Sequence, residues 1–146
     1  MSASNTMENS ILLLLFNNTD FTGIGDAGGL VGSSTAGSLY ISLHTSDPGE
    51  AGDQTTNECA YTSYARVGVA RSGSGWTVSG NAVENAGAVT FPKATGGTET
   101  ATHFGIGTAS SGAGKLLFSG ALGSSLAISN NITPSFAAGD LDVTTD

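Results

Sequence analysis

Positive charge is nearly missing from this chain. Only four of its 146 residues are Lys or Arg, against twelve Asp and Glu, and the formal net charge is −8. A phosphate-binding surface needs clustered cations, and Arg66, Arg71, Lys93 and Lys115 are dispersed, which argues against a nucleic-acid partner. Cysteine is reduced to Cys59 alone, so neither an intramolecular disulfide nor a four-cysteine metal site can form. Long hydrophobic runs are absent too. The longest, Ile11 to Phe16, is six residues, far below the roughly 20 that cross a bilayer. Met1 to Ser10 has no cation of the kind that opens a secretory leader. No membrane span is expected, and nothing requires an oxidising compartment. The Glu, Lys and Arg that fill helical bundles are equally scarce.

What is present is small and uncharged. Gly, Ser and Thr make up 59 residues, hydrophobic residues 38%, and mean hydropathy is +0.08. Disordered chains are poorer in apolar residues and richer in charge, so this one should fold. One ordinary domain of this length buries roughly 70% of its extended surface.

The first 16 residues read as a helix over 6–16. Asn5 with Glu8 resembles an N-cap and its acidic partner, and Met7, Ile11, Leu14 and Leu15 form one helical stripe. Asn17-Asn18 ends it. So short a helix must dock, either on its own domain or on a neighbouring subunit. The glycine-rich stretch from 17 to 38 has no alternation and reads as a loop or extended arm. From Leu39 the period becomes two: Leu39, Ile41 and Leu43 alternate with Tyr40, Ser42 and His44, and Asp47-Pro48-Gly49 supplies a turn. Strands are then expected at Tyr64 to Arg71, Trp76 to Val78, Ala82-Val83, Ala88 to Phe91, Thr102 to Ile106, Lys115 to Phe118, Leu126 to Ser129, Ile132 to Phe136 and Leu141 to Thr144. About ten short strands at such spacing indicate an all-β sandwich or barrel. The expected division is a helix and arm over 1–38 and a β-sandwich domain over 39–146.

Each apparent chemical motif has a simpler reading. Gly23, Gly25 and Gly28 spell the dinucleotide spacing but follow a polar turn instead of a strand. Ser111-Gly112-Ala113-Gly114-Lys115 looks like a phosphate loop, yet Ala109 stands where its first glycine belongs and Leu116 where the Mg²⁺-binding hydroxyl belongs. No serine occupies a nucleophile elbow. His44 and His103 lie on the polar face of strands and cannot complete a zinc site by themselves. Asp47, Glu50 and Asp53 lack the spacing of a calcium loop and read as a solvated acidic loop. Trp76 starts a strand and reads as core more readily than as a sugar-stacking platform. No catalytic residue, cofactor or metal is expected.

A resemblance then emerges from an ordered series of motifs: Leu39 to Pro48, Tyr64-Ala65-Arg66-Val67, Val89-Thr90-Phe91-Pro92, Thr102 to Ile106, Lys115 to Gly120, and Phe136 to Leu141. Over about residues 39–146 the chain resembles small virion proteins of tailed bacteriophages, often labelled tail-fibre-like, with similar proteins serving as capsid cement or decoration. The resemblance implies a non-enzymatic jelly-roll β-sandwich, made in the bacterial cytoplasm and placed on the outer surface of the capsid. Implied partners are the major capsid protein and further copies of the chain, as dimer or trimer. The alternative it implies is a tail-fibre-like or tail component. Under the cement reading, the apolar helix residues Ile11, Leu12, Leu14, Leu15 and Phe16 and the arm are expected to enter a seam between capsid subunits.

Overall fold

The computed structural model describes residues 2–26 and 28–145. In chain order it contains α1 (Asn5–Asn17), β1 (Ser38–His44), β2 (Val67–Ala70), β3 (Trp76–Ser79), β4 (Ala82–Asn85), β5 (Val89–Thr90), β6 (Glu99–Gly107), β7 (Leu116–Ile128), β8 (Ser135–Phe136) and β9 (Asp142–Thr144). Among the described residues the protein is therefore all-β apart from one short helix. Its strands form sheets ordered β2-β1-β6-β7, β3-β4-β9 and β5-β8. The chain is organised as two compact units. One comprises Met1–Ser38, Val69–Ala88 and Phe136–Asp146, and the other Leu39–Gly68 and Val89–Ser135. The segment 1–38 thus shares its unit with two later stretches of chain.

In the first unit, α1 starts one residue earlier than the Asn5 cap predicts. Ser4 is extended, and its hydroxyl accepts from the Met7 amide at 3.3 Å, satisfying one of the donors a helix start leaves open. Asn18 ends the helix in the left-handed conformation and donates its amide to the Leu13 carbonyl. The buried line is Glu8, Leu12 and Phe16, and Met7, predicted to lie on the buried stripe, is 41% exposed. An apolar run covers every face of its turn, so tertiary packing chooses the face. Phe16 meets Trp76 edge-to-face with ring centroids 4.8 Å apart.

The helix rests on β3 and β4, whose register pairs Val78 with Val83, and β9 completes the sheet by pairing Val143 with Val83. Buried Asn85 ties its end: its amide donates to the carbonyls of Gly87 and Ala137, both at 2.7 Å, and its oxygen accepts from Leu141 N at 2.8 Å. The predicted extended arm instead folds back. Phe21 and Leu30 exchange backbone hydrogen bonds, and Asn18 holds both the amide and the carbonyl of Ser33.

The second unit is built on the four-stranded sheet. Ile41 and Leu43 lie opposite Ile106 and Phe104 across β1 and β6, and these four are buried. The sequence reading placed a break between Lys115–Phe118 and Leu126–Ser129, whereas β7 runs unbroken from Leu116 to Ile128. Gly120 is no turn: a Cβ there would come within 2.8 Å of the Phe104 ring, so the missing side chain makes room for the aromatic. The register passes from Ala101 opposite Leu126 to His103 opposite Ala121, leaving 122–125 without a partner in the β6–β7 register.

Candidate functional site

The helix residues assigned to partner binding divide by burial. Leu12 and Phe16 are fully buried in their own unit, and a side chain already packed there cannot fill a second interface while the fold is intact. Ile11, Leu14 and Leu15 are half-buried. Arg71 grips the backbone below them: Nε donates to Leu15 O at 2.6 Å, Nη2 to Leu14 O at 2.7 Å and Nη1 to Ala36 O at 3.1 Å. A guanidinium is well suited to the open carbonyls and negative dipole end of a helix. Helix and arm are fastened by the same cation.

In the second unit the opposite face of the sheet is polar and covered. Ser42 faces Gly105 and Tyr40 faces Gly107 across β1 and β6. A Cβ on Gly105 would stand 2.7 Å from both His44 Nε2 and Ser42 Oγ, and one on Gly107 would run into Gln54. The two glycines thus open a trough that loop side chains fill. Gln54 is fully buried: its side-chain oxygen accepts from Ala109 N at 2.9 Å, and its backbone N–H donates to Ala113 O at 2.9 Å. His44 is fully buried as well, with Nδ1 2.8 Å from Thr56 O and Nε2 2.8 Å from Ser42 Oγ. A neutral ring that donates from Nδ1 and accepts at Nε2 satisfies both contacts. Burial pushes its pKa below the ordinary value. His44 is a structural tie with no solvent access for proton transfer.

Beside it lies the ion pair between Arg66 and Glu58. Nε meets Oε1 at 2.6 Å and Nη2 meets Oε2 at 2.7 Å, a two-pronged grip. Arg66 also donates to the carbonyls of Ala109 and Gly112, and Tyr64 Oη donates to Glu58 at 2.8 Å. The hydrogen bonding of Arg66 to the Glu58 carboxylate, more than any other influence, raises the Arg66 pKa. The stretch that looked like a phosphate loop is the hairpin this arginine holds. Glu99 similarly accepts from the amides of Ala60 and Tyr61. Burial, followed by the nearby Glu99 and Glu58 carboxylates, pushes the Cys59 thiol up to about 12, leaving it protonated and unreactive.

The acidic loop contributes to an open groove of about 710 Å³ lined by Asp47, Glu50, His103 and β7 from Leu116 to Ala121. Its carboxylates do not converge on an ion: Asp47 caps Gly49 N at 2.8 Å, and Asp53 caps Thr55 N at 2.8 Å and Thr55 Oγ1 at 2.6 Å. The Thr55 hydroxyl, as the largest influence, lowers the Asp53 pKa. Among the described residues, no group of three or more His, Cys, Asp or Glu could hold a metal, and no helix is long and apolar enough to cross a membrane. Trp76 is fully buried and so forms core, as the strand context predicts, and offers no sugar platform.

Sequence reasoning misses Gln54 and Glu99 because their partners lie 38 to 55 residues away, and it misses the nearer Glu58–Tyr64 contact because an acidic loop reads as solvated. The one available signal was Arg66, a rare cation inside an otherwise apolar strand motif.

Short sheets, each tied by loop side chains of its own unit, make this a small, β-rich protein. The sequence matches the family described as "Podophage GP4 fiber I protein gp80" over residues 2–144, and the chain belongs to that family of phage virion structural proteins. The resemblance to small virion proteins of tailed phages is thereby borne out. No curated protein matches the chain.

Proposed function

We propose that this chain is a non-catalytic structural component of a podophage fibre, located at the tail. The family match across residues 2–144 carries this reading, because the family description names a fibre. It favours the tail-fibre-like alternative over capsid cement, and placement on the outer capsid surface with the major capsid protein as partner gives way with it. Burial of Leu12 and Phe16 in their own unit supports the same choice, since the cement reading relied on those residues to fill a capsid seam. Further copies of the chain are the partners of first choice, because homo-oligomers with rotational symmetry are the usual form of such parts. A jelly-roll arrangement of the strands belongs to this proposal as its finer structural element; the all-β composition and antiparallel pairings support it. No nucleic acid, membrane or cofactor enters the role.

Copy number tests the reading. Purified virions resolved on a stained gel, with gold-labelled antibody against the chain, are expected to show few copies per particle, all at the tail. Hundreds of copies spread over the head would overturn the fibre assignment and restore capsid cement.

A further inference from the structure

An open sheet ends in strands whose outer amides and carbonyls are unpaired, and most such edges here are protected by shortness or charge. β2 and β3 have four residues each, β9 has three including Asp142, and β5 and β8 have two. Arg66 and Arg71 flank β2. β7 is different. It is the longest strand of the described residues, at 13, and it ends the four-stranded sheet, so among those residues no strand pairs with its outer side. From 116 to 139 the chain carries no Asp, Glu, Lys or Arg, and no proline interrupts β7.

The register narrows the open stretch. Residues 118–121 pair without a break with Ile106, Gly105, Phe104 and His103, between a shift at Leu117 and the unpartnered 122–125. In antiparallel pairing, alternate residues turn both amide and carbonyl away from the neighbouring strand. Ser119 and Ala121 are exposed, and the stretch borders the open groove, so solvent reaches it.

Charge selects the occupant. A chain of net charge −8 repels its own copies unless they meet where charge is absent or opposite. His44 ends β1 opposite His103, and His103 lies opposite Ala121, so the loop carrying Asp47 and Glu50 departs at the Ala121 end of the stretch. Lys115 stands at the other end. A strand laid antiparallel along 118–121 reverses these ends, and a second copy's Lys115 then comes beside Asp47 and Glu50. Two-fold symmetry makes the same contact twice.

We propose that residues 118–121 form a seam between two copies of the chain: their β7 edges pair antiparallel about a two-fold axis near Ser119 and Gly120, joining two four-stranded sheets into one. The use of further copies rests on the fibre reading, but the test is made on the isolated chain, so its failure leaves the tail assignment standing.

Sedimentation of the full-length chain is expected to show a monomer–dimer equilibrium with a midpoint in roughly the micromolar range, as for other small interfaces. Hydrogen exchange above that midpoint should protect amides within 118–121 about tenfold or more relative to the dilute chain. Ser119→Glu sets two carboxylates together near the axis and should abolish the dimer. Lys115→Glu should weaken it about tenfold by turning two attractive contacts repulsive. Adding Glu50→Lys to that variant should restore association, a gain that misfolding cannot imitate. A chain that stays monomeric to about 1 mM, a trimer, a dimer that Ser119→Glu leaves intact, or association with unchanged exchange at 118–121 would each overturn the proposal.

Discussion

Arg66 and Arg71 lie five positions apart in sequence but organise different units by different means. Arg66 is paired to a carboxylate, with its side chain 2% and that of Glu58 14% exposed, and it also gathers two hairpin carbonyls. Among the described residues Arg71 meets no carboxylate; its partners are mainly backbone carbonyls of α1 and the arm. Removing half of a buried ion pair strands a charge, whereas freeing carbonyls near solvent exposes them to water, which can replace the lost donor. In a chain with so few cations, the same side chain serves once as an indispensable countercharge and once as a replaceable clasp.

The sharpest way to break this comparison is Arg66→Ala. It leaves Glu58 without its countercharge and should lower stability by about 3–5 kcal/mol, measured by urea unfolding. Glu58→Gln in the same background should recover part of that loss. If Arg66→Ala and Arg71→Ala cost the same, the distinction fails. Gly107→Ala should come next, at roughly 1–3 kcal/mol for overpacking against Gln54, with the shift read in the same urea midpoint. For Arg71→Ala about 2 kcal/mol is expected, and hydrogen exchange should localise it: amides of α1 lose protection while those of β1 and β6 keep theirs. Uniform loss of protection would make Arg71 as central as Arg66.

The smallest effect concerns His44. Its folded pKa lies below the ordinary 6.5 because burial disfavours the imidazolium. The unfolded chain therefore takes up a proton first as pH falls. The stability this residue secures is complete above about 6.5 and declines as pH falls through the lowered folded value. Thermal midpoints between pH 7.5 and 5 should fall less steeply in His44→Gln than in the parent. Parallel slopes would show that carboxylates alone govern the acid limb.

These contrasts also show what could be read from residues in order. Period-two alternation announced β1, β3, β4 and the centre of β6, because a half-buried strand imposes that rhythm on its side chains. The chemistry of Asn and Asp at turns was legible for the same local reason. The helix was legible, but its buried face was not, since Ile11 to Phe16 offers apolar side chains in every direction and Trp76 decides among them. β7 was misread because glycine can mark either a turn or a close approach, and only the Phe104 ring over Gly120 tells which. In the candidate site, Leu12 and Phe16 were expected to meet a partner, and packing within their own unit claims them instead. The contact of Asn9 with Gly80 in the β3–β4 turn, more than seventy residues away, was equally out of reach.

The first unit assembles residues from both ends of the chain, with β9 pairing onto β4 through residues 142–144 and Asn85 waiting for Ala137 and Leu141. During synthesis, the helix near residue 5 leaves the ribosome long before these partners exist. The growing chain must therefore carry an unfinished apolar surface until its last strand arrives, and a product cut short before residue 136 can never complete that sheet. The sheet on which α1 rests is thus completed only once β9 has been translated.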